Sequence, residues 1–190
     1  MFKTRVFDQF FAPKGNTGEF LSEGTLSIAS RVAVPHDLRP LLSKSSTVIL
    51  RAHHRAHTVV FSRASTHVGN SLVQFLPEGS KNTQPIPASI KYIFEKEGKI
   101  RFAVQRQLPA PGTVDPFLRY PDFPAKLYSS QLSPSLEEVD VEWVVGHCAR
   151  YIFSQKLAAI FGQRLAAIIF LSRVGVDYDI LSGFLRLSQE

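Results

Sequence analysis

The chain has 190 residues, room for one domain and a short appendage, and its 44% apolar content is ordinary for a packed core. Charged residues at 20% argue against wholesale disorder, and a single cysteine, Cys148, excludes both a disulfide framework and a multi-thiolate zinc site. A net charge of +6 with one thiol fits a basic protein of a reducing compartment.

The charge is unevenly placed. Residues 1–110 carry 15 Lys or Arg against 7 Asp or Glu, net +8, whereas residues 111–190 carry 7 against 9, net −2. No acid lies between Asp37 and Glu78, where Arg39, Lys44, Arg51, Arg55 and Arg63 fall with His53, His54, His57 and His67. Such a field attracts phosphate, acidic protein tails or anionic lipid without selecting among them.

In chain order, residues 1–44 read as an N-terminal arm. Lys3, Arg5, Asp8 and Gln9 break the apolar run that a secretory signal needs. Pro13–Gly18 is a turn cluster, alternation from Thr25 to Val34 is partial, and Asp37–Leu42 predicts one helical turn.

Residues 45–153 predict a mainly β barrel. Thr47–Arg51 and Thr58–Ser62 are short and β-branched, and they flank a basic link, His53–His57, expected to form the exposed tip of a hairpin. Asn70–Phe75 alternates with period two and ends at the turn Pro77-Glu78-Gly79. Ala88–Phe94 and Ile100–Gln105 are joined through Glu97-Gly98, the clearest hairpin signal in the chain. Five prolines between 108 and 124 forbid a helix or a central strand there, yet Phe117, Tyr120 and Phe123 predict a stiff loop packed across the barrel. Lys126–Ser130 and Glu137–Val141 predict two more strands, and Glu142–Val145 a helical turn anchored by Trp143.

Residues 154–190 read as a C-terminal helix and tail. Apolar positions 157, 160, 161, 165, 168, 169 and 171 follow helical spacing, with Ser154 as N-cap and Arg173-Val174-Gly175 as the stop. Gly162-Gln163-Arg164 interrupts the run, leaving too little to span the roughly 30 Å of a bilayer, so no membrane segment is predicted. The 154–172 helix either packs on the barrel or, its apolar residues covering more than one face, serves a protein partner or dimerisation.

One set of residues carries a family resemblance. Ala88-Ser89-Ile90-Lys91-Tyr92-Ile93-Phe94-Glu95, Ile100 to Pro109, Leu127-Tyr128-Ser129-Ser130 and Glu138 to Cys148 stand in the order of the strands of the bromo-adjacent homology (BAH) domain. The stretch from Gln74 to Tyr151 resembles that family, which implies a β-rich barrel of chromatin proteins. The chain departs from it in the long proline loop and in lacking the acidic-asparagine signature before Leu127. The phrases Thr66–Ser71, Asp115-Pro116-Phe117, Tyr120–Ala125 and Ala149-Arg150-Tyr151 also resemble reading frames of basidiomycete fungi that travel with transposase genes.

Candidate sites follow from residue type. Arg51, His53, His54, Arg55, His57 and Arg63 are the expected nucleic-acid contacts, being cations on a hairpin able to meet phosphate. With no acid or cysteine beside them in sequence, the histidines are not read as a metal site, and no cofactor is implied. Tyr92, Tyr120, Tyr128 and Trp143 are the aromatic residues available for a peptide-binding cage, or else they fill the core. Asp115 and Asp122 sit in the proline loop, where carboxylates cap turns, and no third acid completes a metal-assisted site. Cys148 and His147, as strand neighbours, point to opposite faces and do not make a nucleophile–base pair. The sequence thus predicts a non-catalytic nuclear binding module for chromatin, nucleic acid or protein. The alternatives are an inactive fragment of a transposon-derived protein and a structural dimerisation domain.

Overall fold

A computed structural model describes residues 31–42, 45–154 and 162–171. The architecture is mainly β. Strands β1 (Arg31–Ala33), β2 (Thr47–Arg51), β3 (His53–Ala56), β4 (Val59–Ser62), β5 (Leu72–Phe75) and β6 (Ile86–Lys96) come first, then β7 (Lys99–Pro109), β8 (Ala125–Leu132), β9 (Glu137–Asp140), β10 (Val144–Ile152) and β11 (Leu165–Phe170). Among the described residues helix is confined to single turns, including α1 (Arg39–Leu42) and α2 (Val68–Ser71).

Six strands close a ring in which every neighbour is antiparallel: β5, β6, β7, β8, β11, β10, and back to β5. The ring rests on the long hairpin β6–β7. Its turn is Glu97-Gly98, with φ of 53° and 72°, and two positive values in a two-residue link match the twist of the flanking strands. Each strand of the hairpin has 11 residues and serves two neighbours. The first part of β6 pairs with β5 and the last part with β2, while β7 pairs first with β9 and then with β8.

A shift in register between Ile90 and Tyr92 makes Lys91 an inserted residue. The bulge turns Ile90 and Ile93, three apart, into one core with Phe61, Val73, Phe75, Phe102, Val104 and Val139. Phe94 then joins a second core with Val34, Leu38, Val48 and Ala103, against which Tyr92 packs. Residues 31–42 are therefore part of the fold, since β1 pairs with β2 and Leu38 is fully buried. Asp37 fastens this segment: it takes an ion pair from Lys91 Nζ at 2.7 Å and a hydrogen bond from the Tyr92 hydroxyl at 3.1 Å. Burial pushes the Asp37 carboxyl up, but those hydrogen bonds and the Lys91 charge outweigh it and hold it below its ordinary value.

The proline loop packs as expected. Asp115 caps the turn Pro116–Arg119 by accepting from Phe117 N, and its second oxygen accepts from Leu127 N at 3.0 Å. Phe117 and Phe123 lie over Leu127, Leu165 and Ala167.

The C-terminal helix is corrected over residues 165–170. Leu-Ala-Ala-Ile-Ile-Phe is β11, hydrogen-bonded to β10 on one side and β8 on the other. Leu165 and Ala167 face the proline loop, whereas Ile168 meets Tyr128 and Cys148. A strand buried on both faces has no polar alternation, so a short apolar run reads equally as helix or strand until its neighbours are known. Residues 162–164 form a bend leading into β11 rather than helix, while 155–161 and 172–190 of the expected helix and tail lie outside the described residues, as do 1–30 and 43–44 of the expected arm. A partner site on the 154–172 helix thus loses residues 165–170, which are spent on the ring.

Candidate polyanion-binding site

The basic link is itself a strand. His53–Ala56 forms β3 and pairs with β4 in the register His53↔Ser62, His54↔Phe61, Arg55↔Val60, Ala56↔Val59, leaving His57-Thr58 as the turn. The expected exposed tip is thus two residues rather than five, with His57 at φ 54°.

Strand alternation divides the predicted contacts. His54, Ala56, Val59 and Phe61 turn inward: Phe61 is 1% exposed, and the His54 ring meets Phe102 edge-on at 6.2 Å. Burial, reinforced by the Arg51 charge, pushes the His54 pKa down, so this imidazole is neutral at pH 7 and belongs to the core packing. His53, Arg55 and His57 are exposed on the other side. Arg51 is exposed but paired with Glu95 at 3.3 Å. Arg63 is half-buried, and its Nε has no hydrogen-bond partner among the described residues. The structure therefore groups His53 and Arg55 on the outer face of β3, with His57 beyond them in the turn and Arg51 and Arg63 at the foot, and removes His54. The opposite strand is covered: Ser62 is buried and α2 packs against β4. His67 holds that turn by accepting from Asn70 N at Nδ1.

The four aromatic residues occupy different places. Tyr92 packs on the second core, Trp143 on the first, and Tyr128 is buried with Cys148 and Ile168. Tyr120, 59% exposed, stands alone on the proline loop beside a shallow depression lined by Arg119, Pro121, Asp122 and Phe123. No shared cage forms from these four side chains.

Cys148 is buried and donates weakly to Val73 O, and burial pushes its thiol up to about 12 against the pull of Arg150. His147 faces the other way and stacks on Phe61 at 5.0 Å. Among the described residues, no three His, Cys, Asp or Glu side chains are placed to hold a metal ion, and no helix is long and apolar enough to cross a membrane.

Sequence reasoning missed the acidic side of the molecule. On β9, Glu137 pairs with Arg106, Glu138 with Lys96 at 2.7 Å, and Asp140 with Arg101. These cations are spent internally, whereas Arg55 on β3 is exposed, as are Arg31, Arg39, Lys81 and Lys99 elsewhere in the basic half. The sequence signal was present in the alternation Arg101, Ala103 against Glu138, Asp140, readable only once β7 and β9 are known to be neighbours. No family model, curated protein or solved structure matches the chain.

Proposed function

We propose that the protein is a non-catalytic, BAH-like binding module that holds a polyanion on the outer face of β3, in a nuclear setting. The observation that carries this reading is an exposed edge strand presenting His53 and Arg55 within a stretch that has no acid from Asp37 to Glu78. Its inner face is fixed on Phe61 and Phe102, so His53 and Arg55 keep their spacing instead of being reorganised on contact. The residues that resemble catalytic groups have structural employment: Asp115 caps a turn, and the Cys148 thiol stays protonated at neutral pH.

Fluorescence anisotropy with labelled nucleic acid, read between about 50 and 200 mM salt, tests the proposal. Arg55→Ala is expected to lower the slope of log K against log salt by about 1. Salt-independent binding, or none, overturns it.

A further inference from the structure

We infer that the polyanion is a double helix, met along its phosphate backbone from outside and without regard to base sequence. This deepens the polyanion reading and rests on it.

Three features of the hairpin lead there. The first is its seat. A two-stranded ribbon reads bases only by entering the major groove, roughly 8.5 Å deep. Here Ala56 and Val59, the last pair before the turn, still pack against the core, and the β4 side is covered by α2. Only His57-Thr58 projects, too little to reach a groove floor.

The second is the lack of a stacking platform. Proteins that hold single strands interleave cations with aromatic rings, each stacked base worth about 1–3 kcal/mol. The β3–β4 hairpin has one Phe, Tyr or Trp, and that residue, Phe61, is turned into the core. Among the described residues the exposed tyrosines, Tyr120 and Tyr151, belong to the proline loop and to β10.

The third is rigidity. Positions 53 and 55 lie about 6.7 Å apart along the extended strand β3. The β4 ladder, with His53 opposite Ser62 and Arg55 opposite Val60, and the buried inner face hold these two at that spacing, and His57 follows in the turn. A short, pre-set row of hydrogen-bond donors, one of them the Arg55 guanidinium, suits a ligand whose charges are themselves fixed in space. A flexible single strand would surrender its freedom to match that row and gain no stacking in return.

The experiment compares a short labelled duplex, its two separated strands and a second duplex of unrelated sequence, each at low salt, with wild type and Arg55→Ala. Unchanged far-UV circular dichroism and urea midpoint establish that the variant is folded. Duplex binding about tenfold tighter than either strand, equal within about twofold for the two sequences and weakened in Arg55→Ala, is expected. Equal or tighter binding of a single strand, or a tenfold preference for one duplex sequence, overturns the inference while leaving polyanion binding intact. Binding to none of them overturns the polyanion reading itself. Equal retention of all four probes by Arg55→Ala moves the site away from β3 and overturns both.

Discussion

Phe61 stacks on His147, ring centres 5.0 Å apart and planes 24° from parallel. This contact joins the β3–β4 hairpin, which has no backbone pairing to the nine-stranded sheet, to strand β10 of the ring. Phe61 also meets Phe102 at 5.4 Å, so one side chain holds the hairpin at two points. Phe61→Ala is expected to cost about 3–5 kcal/mol in urea unfolding, and Phe61→Leu clearly less, because the cavity is then largely refilled. In the Ala variant, amide exchange should quicken first in β3 and β4.

Gly79 and Gly98 separate two penalties that substitution of a turn glycine mixes. Both have positive φ, 69° and 72°. A Cβ on Gly98 would meet open space, whereas one on Gly79 would fall 2.6 Å from Trp143 Nε1. Gly98→Ala should therefore cost only backbone strain, about 1 kcal/mol. Gly79→Ala should cost clearly more and shift the emission of Trp143, the single tryptophan, as the indole is pushed aside.

Alkaline pH should unfold the protein through Cys148 and Tyr128. Burial raises both acids to about 12 from ordinary values of 9.0 and 10.0, Tyr128 further through Cys148 and Asp115. Each group favours the folded state fully below its unfolded pKa, and that advantage is lost as pH climbs toward the folded value. The window runs from about 9 to about 12, each group removing at most about 1.4 kcal/mol per pH unit within it. Urea midpoints are expected to fall between pH 8 and 10.5, less steeply in Cys148→Ala. Below the same window, native Cys148 should resist alkylation that proceeds readily in urea.

The ion pairs should differ in worth by their burial. Arg101, with a side chain 20% exposed, lies between Asp140 and Glu138, the latter at 3.7 Å. Arg101→Met leaves the Asp140 carboxylate without its cation, while Glu138 keeps Lys96, and should cost about 2–3 kcal/mol. Arg51→Met breaks an exposed pair with Glu95 and should cost under about 1 kcal/mol. Comparable losses in the two variants would refute this ordering.

What was legible in the sequence was whatever local chemistry settles. Glu97-Gly98 announced its hairpin because a two-residue link with positive φ suits few other residues, and Asp115 announced a turn cap. The basic strand β3 was mistaken for a tip since His-His-Arg-Ala lacks β-branched residues, and its pairing is imposed by Val59–Ser62 opposite. The bulge at Lys91 was invisible, and with it the side on which Tyr92 and Ile93 would fall. For the same reason the aromatic residues could be counted from the sequence but not sorted. Tyr92, Tyr128 and Trp143 went to three separate cores because strand parity and register, both set at long range, decide where a ring points.

β11 completes the ring between two strands that precede it in the chain, β8 and β10. During synthesis both must wait with unpaired edges until Phe170 has been made, and at about 5–20 residues per second the interval from Ile152 is a second or more. Through that interval the nascent protein displays two sticky ribbons, each able to recruit the wrong strand. Correct closure is then a race between six apolar residues arriving late and any neighbouring chain already present, so yield on refolding should depend on protein concentration more than native stability does.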